Sequence, residues 1–210
     1  MAVAALTRDV AMFIRFRDWL DLSDKDFDTI YTSFSILDPE YFNIISNHCR
    51  SPKEMFRSLL TLENNLFSDT YLYVSGGSIV GFVNYFPISE RFFRIYETNK
   101  ALFRSIDRNS YSIVKTELKK FSALISPVNS DSDLYLQSIF VFEDSRISGV
   151  GSSLYKQFED TAKSKDIGVS LHVRSDNITA VNFYKKLGFS VVDSDRKSTR
   201  LNSSHSVVSR

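Results

Sequence analysis

Apolar residues change their spacing along the chain in a way that separates strands from helices. In "AMFIRFRDWL", Arg15 and Arg17 alternate with Ile14 and Phe16, the two-residue period of a strand, so Ala11–Trp19 reads as the first strand. The period then lengthens. Phe27, Ile30, Tyr31 and Phe34 recur every three or four residues behind Ser23 as N-cap, with acids in the first turn, which predicts a helix over "LSDKDFDTIYTSFSIL". A second helix, "SPKEMFRSLLTLENNLF", has Ser51 as cap, Pro52 as its first residue and Glu54 completing a capping box. "DTYLYVSGGSIVGFVNYF" holds two β-rich runs about Gly76-Gly77 and reads as a hairpin. Residues 89–125 read as two helices broken near Asp107–Ser110, "SPVNSDSD" as a loop and "LYLQSIFVF" as a buried strand. A helix follows from about Gly151. Val169, Leu171 and Val173 mark one face of a further strand, "NITAVNFYKKLG" is a short helix ended by Gly188, and "FSVVDS" begins one more strand. This order describes one α/β domain over residues 1–194, a mixed sandwich without repeats or an inter-domain linker.

Composition narrows the class. A chain of 210 residues with 43% hydrophobic content can bury a real core, and 18 Phe and 10 Tyr predict that it is rich in rings. No apolar run approaches the roughly 20 residues of a membrane span, and Arg8 and Asp9 interrupt the opening before a signal-peptide core could form. The single cysteine, Cys49, excludes an internal disulfide and a multi-cysteine zinc site, so a cytoplasmic protein without a metal is expected. A net charge of +1 provides no electrostatic footprint for nucleic acid.

The C-terminal stretch "DRKSTRLNSSHSVVSR", Asp195–Arg210, has the composition of a disordered end. Asp195–His205 resembles the in-frame translation of a common short-read sequencing adapter. The expectation is a non-native tail, a truncated final strand and an exposed sheet edge. Without its four basic residues and one acid the net charge is −2, so neither nucleic acid nor a membrane is an expected partner.

Candidate chemistry begins at "SRISGVGSSLYKQF", Ser145–Phe158. Gly149 and Gly151 let backbone N–H groups approach a ligand, and the helix behind them buries Val150, Leu154, Phe158 and Ala162 on one face. Its N-terminal N–H groups favour a phosphate or pyrophosphate, with Arg146 able to add a charged contact. On these residues alone, a tight strand-to-helix turn without a ligand reads equally well. Two rival nucleotide signatures fail: Leu154 occupies the third small position of a dinucleotide fingerprint, and no Gly-Lys-Ser/Thr of a Walker loop follows.

"VFEDSRISGVGSSL" resembles the acyl-CoA pyrophosphate loop of the GNAT superfamily of N-acetyltransferases, Arg/Gln-x-x-Gly-x-Gly/Ala, through Arg146, Gly149 and Gly151. Downstream, "SDNITAVNFYKKLGF" resembles the family's second signature at Asn177, Ala180, Tyr184, Gly188 and Phe189. The likeness covers roughly Ala11–Ser194 in element order and is motif-specific from Leu134 to Phe189. It implies a mixed, mostly antiparallel sheet splayed between its fourth and fifth strands, with helices on both faces. It implies acetyl-CoA as co-substrate and acetyl transfer to a primary amine of a small molecule or peptide, by direct attack in a ternary complex. Backbone groups of Phe140, Val141 and Phe142 would bind the pantetheine arm. Those of Ser148, Gly149, Val150, Gly151, Ser152 and Ser153 would hold the pyrophosphate. Asn177 and Ala180 would contact the cofactor, and Tyr184 would protonate the departing thiolate.

Tyr184 also belongs to a helical apolar face with Ala180, Phe183 and Leu187, the pattern of a core residue. His172 reads as a surface or packed histidine, and His48 has no assigned role. Many family members carry a Glu near the position of Tyr135 as the base. Asp133 shares that face here, so Asp133, Tyr135 or a water relay are the candidates. The resemblance makes the segment rich in Phe92, Phe93, Tyr96, Phe103 and Tyr111 a lid or wall of the acceptor site, although packing alone also accounts for those rings. It leaves a homodimer open. The missing glutamate keeps a second class in view, a non-catalytic acyl-CoA-binding or interaction module.

Overall fold

The computed structural model describes residues 11–19, 22–123, 132–143, 149–174, 176–194 and 205–209. Strand β1 is only Met12–Arg15, because the chain leaves the sheet in a short 3-10 turn at Phe16–Asp18 that carries Phe16 into the core. Helices α1 (Asp24–Leu37), α2 (Pro39–His48) and α3 (Pro52–Thr61) follow. The Ser23 hydroxyl caps α1 by accepting from the Asp26 N–H at 3.1 Å. Helix α2 is an element the apolar pattern does not announce. Asp38 caps it, accepting from the Tyr41 N–H at 3.2 Å, and Pro39 takes the first turn. Helix α3 starts at Pro52 as read, but Ser51 makes no side-chain cap bond, so the reciprocal capping box is not formed.

The hairpin is β2 (Thr70–Ser75) and β3 (Ser78–Pro87), followed by α4 (Arg91–Ser105) and α5 (Tyr111–Ala123) with the break where the sequence puts it. Then come β4 (Leu134–Val141), α6 (Val150–Ser164), β5 (Val169–Arg174), α7 (Ile178–Lys186), β6 (Ser190–Ser194) and β7 (His205–Ser209). They form one sheet in the order β1-β2-β3-β4-β5-β7-β6. Every pair is antiparallel except β4–β5, which is parallel.

Strand β7 falls within the stretch expected to be a disordered tail beside an open sheet edge. It lies between β5 and β6, pairing Leu171 with Val208 on one side and Val191 with Val208 on the other. The backbone groups along the outer edge of β5 need partners, and the extended segment His205–Ser209 supplies them. Residues 195–204 of the tail lie outside the described residues.

Helices α1–α5 cover one face. Its core centres on Phe34, whose ring lies 4.3 Å from Phe82, 5.2 Å from Phe56 and 5.4 Å from Phe67, which is where the surplus of phenylalanine goes. Cys49 is buried in the same core. Helices α6 and α7 cover the other face through Leu154, Phe158, Ala162 and Tyr184, packed on Val169, Leu171 and Val173. Gly81 of β3 is hemmed in by β4 and α6: a Cβ there would lie 2.4 Å from the Phe140 carbonyl oxygen and 3.0 Å from Leu154 Cδ1. No helix among the described residues is long and apolar enough to cross a membrane.

Helix α4 packs with an unexpected face inward. Arg91, Arg94, Thr98 and Leu102 are buried, while Phe92, Phe93 and Tyr96 are exposed. Of the rings that read as the wall of the site, Phe92, Phe93 and Tyr96 therefore face away from the core, whereas Phe103 packs against it.

Candidate active site

A single extra residue opens the sheet. The β3–β4 register passes from Asn84↔Ser138 to Tyr85↔Leu136, which leaves Gln137 as a bulge in β4. The parallel pairing of β4 with β5 covers Leu134↔Val169, Tyr135↔Ser170 and Leu136↔Leu171, then stops at that bulge. A bulge bends its strand and increases its twist, so the two strands part beyond Leu136 into a cleft. The Phe142 N–H donates to the Val80 carbonyl at 3.1 Å. By the alternation of an antiparallel ladder, the backbone groups of Phe140 and Phe142 turn toward β3, and those of Ile139 and Val141 turn toward the cleft. Of the three residues expected to line the arm, the ladder leaves Val141 available and adds Ile139. The side chains of Phe140 and Phe142 pack into the core under α1–α5.

Helix α6 starts at the mouth of this cleft. Gly149 is its N-cap with φ +99°, a backbone state that other residues rarely adopt, and no side chain among the described residues caps the helix. The N–H groups of Val150, Gly151 and Ser152 are left without helical partners. That of Ser153 is not, since it donates to the Gly149 carbonyl at 2.9 Å. A Cβ on Gly151 would stand 3.8 Å from Val141 Cγ2, so the bare helix end adjoins the unpaired edge of β4. Free donors at a helix N-terminus beside an open strand edge fit a diphosphate followed by an extended amide-bearing arm. Arg146 and Ser148 lie outside the described residues.

The split between β4 and β5 leads into a cavity of about 240 Å³ that both helix layers help to line. From α7 come Asn177, Ala180 and Tyr184. Asn177 caps α7, its Oδ1 accepting from the Ala180 N–H at 3.1 Å, which leaves its amide NH₂ for another partner. Tyr184 is almost fully buried, and its hydroxyl has no hydrogen-bond partner among the described residues. Burial, and then the neighbouring Tyr155 and Tyr135, push its pKa well above the ordinary phenol value, so it stays protonated.

Tyr135 and His172 line the opposite wall, with the Tyr135 hydroxyl 2.9 Å from His172 Nδ1. Burial raises the Tyr135 pKa, Arg91 opposes this and Asp38 adds to it. The sequence reads His172 as a surface or packed histidine because it is a polar alternate on a strand, and the structure gives the packed case. In β5 that face is covered by α1–α5, and the parallel register aims His172 at Tyr135. Asp133, the other candidate base, is 8% exposed and does not line this cavity, and its backbone carbonyl accepts from the Ile88 N–H at 2.9 Å. The half-buried carboxyl in the cavity is Asp38, pushed up to about 7 by desolvation, lowered by the Tyr41 N–H and raised by Glu40. Asp38-Pro39-Glu40 is a helix-start signal that could have revealed it.

The sequence profile of the acetyltransferase (GNAT) family matches residues 30–189. No curated protein matches the chain significantly. Among solved structures, an N-acetyltransferase from Staphylococcus aureus Mu50 superposes with a TM-score of 0.66 at 13% identity, over 95% of this chain and 100% of that one. Ard1 from Thermoplasma volcanium gives 0.52 at 18% identity over 95% and 96%. An Arabidopsis thaliana structure in complex with the bisubstrate analogue CoA-Ac-MVNAL gives 0.50 at 16% over 95% and 97%. At these identities the structures share the fold. The profile, the split sheet and the bare start of α6 agree, and the chain belongs to the GNAT acetyltransferase family of acyl-CoA N-acyltransferases.

Proposed function

We propose that the protein moves an acetyl group from acetyl-CoA to a primary amine by direct attack in a ternary complex, with Tyr184 as acid and the Tyr135–His172 pair as proton acceptor. The observation that carries this reading is the cavity at the β4–β5 split, where Tyr184 of one helix layer meets Tyr135 and His172 of the sheet. Bound acetyl-CoA supplies a thioester carbonyl and a thiolate leaving group. The backbone N–H groups of Ile139 and Val141 are suited to polarise that carbonyl, and those of Val150, Gly151 and Ser152 to hold the diphosphate. With the ring proton of His172 on Nε2, the Tyr135 hydroxyl donates to Nδ1 and offers its oxygen lone pairs to the cavity. As the amine's N–C bond forms and the C–S bond breaks, a proton leaves the nitrogen for the Tyr135 oxygen while the Tyr135 proton passes to His172. Tyr184 gives its proton to the sulfur and recovers one from solvent. A phenol with a raised pKa is a weak acid, and the transfer is favourable because the thiolate forms in the same desolvated cleft and is as strongly destabilised.

Release of CoA from acetyl-CoA, followed across a panel of primary amines for the wild type and Tyr184→Phe, tests this reading. The expected result is a loss of about 100-fold in kcat with little change in the KM for acetyl-CoA. Tight CoA binding without turnover on any amine, or a Phe variant with full kcat, would refute it and favour the non-catalytic module.

A further inference from the structure

Two arginines three residues apart on α4 are both buried, Arg91 at 7% exposure and Arg94 at 5%. Arg94 makes five hydrogen bonds, to Glu90, Asn65, Ser68 and Asp69. The Arg91 guanidinium makes no hydrogen bond or ion pair with any described residue. It lies 5.0 Å from the centre of the Tyr135 ring and lines the active-site cavity. Buried charges in proteins are normally paired, and a ring face offsets only part of the desolvation of a guanidinium. Its planar fork of N–H donors matches a carboxylate or phosphate. The acids that share the cavity do not meet this demand: Glu40 pairs with Arg174 at 3.5 Å, and Asp38 forms no ion pair with Arg91.

We propose that Arg91 is the anion-binding residue of the acceptor subsite and that the acceptor is a small amine bearing a carboxylate close to its nitrogen. This rests on the reading of the cavity as the amine's site. One positive charge without a partner among the described residues balances one carboxylate, whereas a phosphate dianion would leave excess negative charge beside Glu40. Arg91 lies against Tyr135, the proposed proton acceptor, so an anion held there sits near the attacking nitrogen, as it does in an amino acid. The interior of a peptide N-terminus has no such charge. Leu37, Leu66, Ile95 and Leu118 line the cavity and suit an apolar remainder.

The test uses thermal unfolding and turnover in the wild type, Arg91→Met and Arg91→Lys. In unfolding, 3-methylbutanoate, inorganic phosphate and isoamylamine are added singly. The carboxylate is expected to raise the wild-type Tm saturably, to act more weakly on Arg91→Lys, which keeps the charge and loses the fork, and to leave Arg91→Met unmoved. In turnover, leucine is expected to exceed isoamylamine in kcat/KM by roughly 10- to 100-fold, with that ratio collapsing in Arg91→Met. Equal shifts in wild type and Arg91→Met, or an unchanged ratio, overturn the proposal. A shift with phosphate and none with the carboxylate overturns the carboxylate assignment. A carboxylate shift that depends on Arg91 with no turnover on any amine supports the anion subsite and refutes the catalytic reading instead.

Discussion

Arg94→Met removes a guanidinium that ties α4 to the segment before β2, while nearly keeping the side chain's volume. Nε and Nη2 donate to Glu90 Oε2 at 2.9 and 2.7 Å, Nη1 to the Asn65 carbonyl at 3.0 Å and to Ser68 Oγ at 2.9 Å, and Nη2 to Asp69 Oδ2 at 2.6 Å. Its charge also lies 4.8 Å from the centre of the Phe86 ring. Breaking a buried pair by removing one member costs about 3–5 kcal/mol. Three features of the network lower that figure. Glu90 is nearly half exposed and can turn to water. Asp69 keeps Arg15 at 3.6 Å and Arg17 at 3.8 Å. The Asn65 carbonyl keeps the Ser68 hydroxyl at 3.0 Å. The expected loss is therefore about 2–4 kcal/mol, or roughly 5–15 °C in Tm for a chain of this size. Urea denaturation monitored by Trp19 fluorescence, together with calorimetry, measures it. The cycle with Asp69→Asn should be strongly non-additive, because the two residues share one bond network. A loss below about 1 kcal/mol, or an additive cycle, would show that the network contributes little and that the satisfied-versus-unsatisfied contrast with Arg91 has no energetic weight.

Gly81→Ala places a methyl 2.4 Å from the Phe140 carbonyl oxygen. It should cost about 1–3 kcal/mol in chemical denaturation and weaken CoA binding by shifting β4, so a variant as stable as the wild type would contradict the packing described. Asp38 has its folded pKa raised to about 7 from 3.8, so the folded state binds more protons between those values and its contribution to stability falls as pH rises through that window. Asp38→Asn, which keeps the cap to Tyr41, should flatten the decline in unfolding free energy between pH 4 and 7, and parallel curves for the two proteins would dismiss the shift. Phe92→Ser combined with Tyr96→Ser should change stability by less than about 0.5 kcal/mol, since both rings are exposed, and a large loss in urea denaturation would return them to the core.

Local patterns determined much of this protein. Period-two and period-four spacing located the hairpin, the broken α4–α5 pair, β4, β5 and α7. Gly149 and Gly151 with Asn177 to Phe189 identified the family, because a bare helix start and its paired signature are readable residue by residue. Other features depend on register between distant segments, which has no local signature. The bulge at Gln137 exists only relative to β3, and it decides where β4 and β5 part and which backbone groups face the cleft. The meeting of Tyr135 with His172 depends on the parallel register and on helices covering the face of β5 that alternation alone leaves either surface or packed. Helix α4 is the sharpest case. Its rings read as a lid or wall of the acceptor site, but the bonds waiting at Asn65, Ser68 and Asp69 pulled Arg94 inward. One turn away on the same buried face, the packing that satisfied Arg94 left Arg91 in the cavity. Hydrophobic periodicity reports only transfer from water, whereas which face of α4 turns inward was settled by polar partners that the chain brings together only when folded.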